Sequence, residues 1–565
     1  SYTIPINKLP FLDWLTSSAN YTGSYRWTAS SRYVQDYYGN TMENENSLQF
    51  NANADLSKLY NKVPYFKKIT TPRRSNNNRP SRIRSSEDEN KEVDTLNQKP
   101  KTNYVKIVGD NLLRLVLSVK KVSFSFTQNS GVSLPGYMNE PDYFGLSKGT
   151  MAPGLGFVLG QSSDILNQSI ENGWLSVDTT FNQPYSERFV QSYNYRMELE
   201  PFSDIKIDIS GNRSYSENFS QYFRANEMGV FNFYTPTNGG SFSISYLMTA
   251  TSFSNGDDLF NNLLNYRQDI ARRLAYSNAG WIGMGEPMVM DTIGHGEFPY
   301  GYGANSQEVL TYAFLAAYGG KNPGNVSLSL FKNIALPNWS INFTGLTKIP
   351  AISKIFKTVS ITHSYRSTYS ISSWATNINY DANNSMSVYE GTYMRIPEYD
   401  MSQIMVTEQF APLIGVTLAF KNSFSPSFEY KKSRTVTMSF SNNQLTEVEG
   451  REIVIGMGYT FKDLSFIVSS VGGGNTRRTS NDLTLKLDVG FRRNKTTLRS
   501  IDEAYSQISA GQDKINVYLT GDYNFSTRLG MQLFYKYDVT NPFVANSFKT
   551  SNTYAGVTLR FSLVQ

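Results

Sequence analysis

The chain has no cysteine. That removes disulfides, thiol nucleophiles and thiolate metal sites together. It has two histidines, His295 and His363, too far apart in sequence to form a motif. A lone histidine is more often a hydrogen-bonded structural residue than a ligand. The phosphate-cradling G-x-x-x-x-G-K-[ST] loop is missing. Gly472-Gly473-Gly474 runs into Asn475-Thr476-Arg477 and reads as a turn. No apolar run reaches the roughly 18 residues that a spanning helix needs. Leu112–Val119, among the longest, is broken by Arg114 and could be a short helix or a buried strand. A signal peptide is absent too. The chain opens on Ser1, inside what reads as a strand, Tyr2-Thr3-Ile4. An exported protein carries such a leader, so a segment upstream of Ser1 is expected, either a leader alone or most of a larger protein.

What is present is aromatic and alternating. Of 565 residues, 38 are Tyr and 35 Phe, yet mean hydropathy is only −0.40. That combination suits a barrel that is apolar outside and wet inside. Tyr-rich β-sandwiches and lectins share it, so composition leaves a soluble all-β protein open. The net charge of +6 is small for this length and is no nucleic-acid signal.

The alternation decides more. Near the C-terminus Ala555, Val557, Leu559, Phe561 and Leu563 share one face of a strand; Tyr554, Gly556, Thr558, Arg560 and Ser562 share the other. Leu529, Met531, Leu533 and Tyr535 repeat the pattern, as do Ile205, Ile207 and Ile209 after a turn at residues 201–204. Charges of both signs sit opposite: Arg196 and Glu198, Lys206 and Asp208, Lys486, Asp488, Arg492, Asp522 and Arg560. A dry core would not tolerate them, and a water-filled lumen would. The expected fold class is therefore all-β: a transmembrane antiparallel β-barrel wall of about 16–19 strands, with long loops carrying short helices. The C-terminus is expected in the periplasm, with residues 525–527 as a short periplasmic turn and 540–551 as a longer external loop.

The chain divides accordingly. Residues 1–66 hold barrel strands. Residues 67–104, where Arg73, Arg74, Arg79, Arg82 and Arg84 precede Glu87, Asp88 and Glu89, read as a disordered charged loop. A basic run can bind anionic lipid or nucleic acid; the plainer reading is a solvated loop. Residues 105–256 hold strands around a long irregular loop, 129–186, with a helical candidate at 164–172. Residues 257–325 read as a helical cap or plug-like insertion, with helices at 258–274 and 306–318. Its Trp281, Met284, Met288 and Met290 are a candidate cap or partner loop. Residues 326–565 are the C-terminal barrel strands, Val326–Leu330 among the candidates. In 428–440, Lys432 and Arg434 fall on the same face as Val436, Met438 and Phe440. Either a bulge resets the phase there, or that end stands outside the hydrocarbon. Glu447 and Glu449 read as loop residues without a specific signal. No catalytic residue, metal site or cofactor emerges, and the chain reads as no enzyme.

Ordered stretches carry a resemblance: Ile4-Pro5-Ile6-Asn7-Lys8-Leu9-Pro10, Leu134-Pro135-Gly136-Tyr137, Asn172-Gly173-Trp174-Leu175, Ala313-Phe314-Leu315-Ala316-Ala317-Tyr318, Ser441-Asn442-Asn443-Gln444-Leu445-Thr446-Glu447 and Asn541-Pro542-Phe543-Val544. The chain resembles the C-terminal part of the SprA/Sov family, outer-membrane translocons of the Bacteroidetes type 9 secretion system. Members are several times longer, so the resemblance implies one part of a very large barrel. It implies export of folded client proteins with C-terminal signal domains, and of adhesins in gliding species. It implies lateral release to a PorV-type small barrel, a plug protein sealing the idle pore, outer-membrane lipid around the wall, periplasmic accessory proteins and an inner-membrane motor as the drive. Nucleic acid is not an implied partner. Two other readings stand beside it. A self-contained porin or nutrient transporter would pair its first and last strands. A soluble or surface-bound adhesin would pack its apolar faces together.

Overall fold

The computed structural model describes residues 2–561 apart from 10, 71–112, 114–115, 162–163, 291–295, 382, 471–473, 527 and 545–546. The strands are β1 (Tyr2–Ile4), β2 (Leu15–Thr28), β3 (Asn40–Asp55), β4 (Val119–Tyr137), β5 (Pro184–Phe202), β6 (Ile205–Ala225) and β7 (Phe231–Ser245). A small pair, β8 (Met288–Met290) and β9 (Glu297–Pro299), follows. Then come β10 (Asn338–Phe343), β11 (Phe356–Thr376), β12 (Tyr399–Phe420), β13 (Phe424–Ser439), β14 (Gln444–Ser470), β15 (Gly474–Ser500), β16 (Tyr505–Asn524), β17 (Leu529–Pro542) and β18 (Thr550–Phe561). All but β8 and β9 join one 16-stranded antiparallel sheet, in which strands follow one another in chain order except that β7 and β10 both lie between β6 and β11. The expected all-β fold with helices confined to loops is the fold observed. No helix among the described residues is long and apolar enough to cross a membrane.

One position in the sheet is shared by two strands. β7 pairs with the upper part of β6 and of β11; β10 pairs with the lower part of both. The chain runs down β7, leaves at Ser245, builds a helical insertion, and resumes the same line at Asn338. Polar groups seal the seam. Asn338 Nδ2 donates to Ser245 Oγ at 3.1 Å, and Ser367 N donates to Asn338 Oδ1 at 2.7 Å. These groups are buried, where an unmet donor or acceptor costs about 1–3 kcal/mol.

The insertion is built on two helices, Gly256–Ser277 and Gln307–Gly319. The first starts on Asn255, whose side chain accepts from Asp257 N, with Asp257 and Asp258 in the first turn. Every residue from Val309 to Gly319 of the second is buried, which explains why it reads as apolar all round. Residues 377–398, between β11 and β12, join this body: Arg395 Nη1 meets Glu308 Oε2 at 2.7 Å. The expected domain 257–325 is thus wider, and drawn from two separate segments.

Other boundaries differ as well. β4 runs on to Tyr137 and β5 begins at Pro184, so the irregular loop is narrower than 129–186. The helical candidate at 164–172 is present as Ile165–Glu171. Val326–Leu330 is not a strand. Val326 is buried against the helices and its carbonyl accepts from Arg273 Nη2 at 2.9 Å. The alternation there reflects packing on a helix rather than pairing with a neighbour. Of the 67–104 loop, Lys67 to Thr70 belong to the helix Pro64–Thr70, and 71–104 lie outside the described residues. β4 begins at Val119, and within 112–119 Leu113 and Val116 are helical. Leu112, Arg114, His295 and Leu563 lie outside the described residues.

Candidate functional site

Cross-strand partners in an antiparallel pair project to the same side of a sheet, so register alone sorts the wall into two faces. One row runs Ile205, Phe343, Ile361, Val416, Phe428, Ile455, Val489, Val517. Another runs Met457, Leu487, Leu519, Tyr535, Ala555; below it lie Tyr459, Leu485, Gly521, Leu533, Val557, and Phe461, Leu483, Tyr523, Met531, Leu559. On the other flank, Ala52, Phe124 and Tyr195 form one row and Ala54, Val122, Met197, Ile209 and Trp339 the next. The face is a continuous apolar band from β2 to β18. Many of its side chains are uncovered: Met457 is 43% exposed, Leu533 47% and Leu559 65%. On β14 the band spans Ile453 to Phe461, roughly 26 Å at ~3.3 Å per residue. A membrane band is about 25 Å tall.

The opposite face carries every charge that alternation assigned to it. Arg196 Nη2 meets Asp208 Oδ1 at 2.9 Å, Lys121 lies 3.9 Å from Glu198, and Gln532 donates to Asp522 at 2.7 Å. Lys206 is paired with Asn342, Lys486 with Thr520, Asp488 with Tyr518, Arg492 with Lys514 and Arg560 with Gly530. A cavity of about 460 Å³ opens on this face between Arg26, Glu43, Glu45, Ser133, Arg188 and Asn218. Exposed ion pairs of this kind contribute about 0–1 kcal/mol each; they keep the face wet rather than hold the fold.

The two large insertions lie elsewhere than a plug would. A plug fills the polar side. Phe242, Ile244, Tyr369, Ile371, Ile404, Val406, Val436, Met438 and Leu445, which the helices cover, are all in register with the apolar side. The 138–183 loop likewise covers Met42, Val132, Leu134 and Tyr185 on that side. Tyr21 of the band donates to Leu159 O at 2.8 Å. Both insertions therefore sit on the apolar face, beyond one end of the uncovered band.

Sequence alternation missed the charges at that boundary. β13 and β14 pair from Phe424 to Ser439 without a register shift, so no bulge moves Lys432 and Arg434. They stand beyond the band, under the insertion. Arg434 and Glu408 are buried 3.7 Å apart. Tyr365 donates to Glu408 at 3.1 Å, and Arg434 to Thr251 at 3.1 Å. Glu447 and Glu449 are strand residues, not loop residues. Buried Arg499 reaches Glu447 at 3.0 Å and Asp257, in the first turn of the long helix, at 2.9 Å. Buried Arg434 and Arg499 thus reach from the wall to the insertion, through Thr251 and through Asp257, whose own side chain is exposed. The clue in the sequence was charge of both signs, on four separate strands, breaking an apolar face at matching heights.

Of the candidate partner loop, Trp281 is buried in the insertion core and presents no surface. Met284, Met288 and Met290 are exposed. His363 is structural: its Nδ1 lies 2.7 Å from Leu413 O. Among the insertion's titratable groups, burial with Lys321 nearby lowers Lys332 to about 8, and burial raises Tyr312 above its ordinary range. No cluster of metal-ligating side chains occurs among the described residues.

No family model matches the chain, and no curated protein matches it. Solved structures similar to it include the ferric-catecholate import receptor Fiu of E. coli K12 (TM-score 0.25, 7% identity). Another is the ferric yersiniabactin uptake receptor FyuA of Yersinia pestis (TM-score 0.23, 7% identity). The chain aligns over 97% and 94% of its own length with these, and spans 61% and 58% of theirs. OmpT, an outer membrane protein of Vibrio cholerae, aligns over 67% of this chain and 96% of its own, with TM-score 0.17 and 10% identity.

Proposed function

We propose that the chain forms part of the wall of a protein-conducting outer-membrane channel of the type 9 secretion kind. Folded clients with C-terminal signal domains would pass along its polar face. A PorV-type barrel would receive them laterally, and a separate plug protein would seal the idle pore. The observation that carries the reading is one sheet with an uncovered apolar band on one side and a wet, mixed-charge surface on the other. Its edges add to this. β1 and β18 are the two ends of the strand order, and no pairing joins them among the described residues. Fifteen positions at ~4.8 Å make an arc of roughly 67 Å. A porin of similar strand number would already be closed. An open edge cannot stay unpaired in hydrocarbon, so more strands or a partner must complete the wall. The structure's strand order therefore favours a larger channel over a self-contained porin.

The test is depletion of the chain in its native cell, followed by fractionation. Proteins with C-terminal signal domains should accumulate in the periplasm and disappear from the surface. Unchanged surface delivery, with impaired uptake of small solutes instead, would sink the translocon reading and put the porin in its place.

A further inference from the structure

Three cations stand side by side where the apolar band ends. Lys432 is directly opposite Arg451, and Arg451 directly opposite Arg493. Like charges at opposed positions cost stability unless an anion lies between them. Arg493 has one: its Nε and Nη2 hold Asp513 at 2.7 and 2.8 Å. Lys432 is committed to Ser252 O and lies 4.4 Å over the ring of Phe253. Arg451 is the least engaged of the three. Its side chain is 56% exposed, and its ion-pair partner is Glu449 on the same strand, at 3.9 Å.

Below this row the surface turns apolar at once. A cavity of about 420 Å³ is lined by Arg451 and Arg493 above, with Asp513 held on Arg493 beside them, and by Tyr430, Ile453, Phe491 and Ile515 beneath; Arg492 and Lys514 complete the lining. Arg451 stands two residues, about 6.6 Å, beyond the last band residue of its strand. That is the depth of a headgroup when the band meets acyl chains. A guanidinium fork fits phosphate oxygens in bidentate fashion, and the fork open to one here is that of Arg451, since Arg493 already spends its Nε and Nη2 on Asp513 and adds its charge.

We propose that this cavity binds a phosphate-bearing membrane lipid. The phosphate would lie between Arg451 and Arg493, in the field of Lys432, and the acyl chains along Ile453, Phe491 and Ile515. The proposal rests on the apolar face being membrane-facing.

The test uses protein purified from native outer membranes in a mild detergent. Delipidated samples receive diphosphoryl lipid A, phosphatidylglycerol or dephosphorylated lipid A, and native mass spectrometry counts the lipid retained. The double variant Arg451→Gln/Arg493→Gln should hold phosphate lipids about tenfold less well. Lys206→Gln/Lys486→Gln, on the polar face, should match the unaltered protein. Arg451→Lys/Arg493→Lys, which keeps the charge but loses the fork, should fall between. Preference for lipid A assigns the outer leaflet and preference for phosphatidylglycerol the inner; either supports the site. Equal retention by the Gln double variant overturns it, as does equal binding of dephosphorylated lipid A. A protein that stays monodisperse without detergent overturns the membrane reading itself; failure of lipid binding in a detergent-dependent protein removes this inference alone.

Discussion

The apolar side of this sheet meets two different surroundings. Along β14, Ile453 to Phe461 face outward uncovered, while Leu445 on the same face is completely buried beneath the insertion. The two halves share strands, register and alternation. They differ in what satisfies them. The lower half leaves its apolar side chains uncovered by the chain and is held chiefly by the strand ladder. The upper half is a packed protein core, with Phe314, Tyr318 and Trp281 of the insertion among its members. Where the halves meet, an apolar face needs a boundary, and the boundary is the charged row. Alternation of period two tells which residues share a side. What covers that side is a separate matter, decided by segments far away in the chain.

The strongest way to break the upper half is at its buried charges. Arg499→Ala removes the partner of Glu447 and should destabilise the docked insertion by about 3–5 kcal/mol, because an unpaired carboxylate is left buried. Hydrogen exchange should accelerate across Gly256–Ser277 while the ladder of β16 to β18 keeps its protection. The double change Arg499→Met/Glu447→Leu should recover most of the loss, since well-packed apolar residues often replace a buried pair without cost. A loss below about 1 kcal/mol for the single change would mean that Arg499 does not hold the insertion.

The lower half should respond to the opposite insult. Leu487→Lys places a charge in the middle of the band and should cost about 2–4 kcal/mol in bilayers, falling to about 0–1 for Ile453→Lys at its edge. Thr484→Lys, on the polar side of the same strand, should stay within ±0.5 kcal/mol. Refolding into vesicles under denaturant gives all three. Equal costs on the two sides would erase the distinction between the faces.

These contrasts also mark how far the sequence could be read. The faces were legible: Lys486, Asp488 and Arg492 oppose Leu485, Leu487 and Val489 by simple alternation, and register keeps them there. Strand lengths were not. β4 runs well past the expected loop start at 129, to Tyr137, because the excess length is covered by chain and needs no membrane pattern; β5 begins close to the expected loop end. Val326–Leu330 read as a strand because helix-facing residues can alternate too. The split of one sheet position between β7 and β10 had no local signal, since the two pieces are separated by the whole insertion. The grip of Arg499 on Asp257 joins residues 242 positions apart, and no motif spacing reveals such a pair.

A smaller effect belongs to the helix that enters the upper half. Asn255 caps Gly256–Ser277 by accepting from Asp257 N at 3.3 Å. Asn255→Ala should cost about 1 kcal/mol, seen as faster exchange in the first turn alone. Asn255→Asp should keep the protection. If the whole insertion loosened instead, the helix start would be part of the grip rather than a local cap.

The smallest expected effect separates the halves by pH. Lys332 lies in the segment that returns from the insertion to β10, and its own carbonyl accepts from Arg213 Nε at 2.9 Å. Burial, with the charge of Lys321 nearby, lowers its amine to about 8 from an ordinary 10.5. Below pH 8 both folded and unfolded chains carry the proton, and the folded state bears the full penalty of a half-buried charge. Between pH 8 and about 10.5 the folded chain releases the proton while the unfolded chain keeps it. Stability of the insertion should therefore rise with pH across that window. Proteolysis of the 320–337 segment should slow from pH 7 to 9 in the unaltered protein and stay flat in Lys332→Met. The ladder of β16 to β18 should be indifferent in both. A parallel pH response in Lys332→Met would assign the titration to another group and leave Lys332 without a share in how the upper half is held.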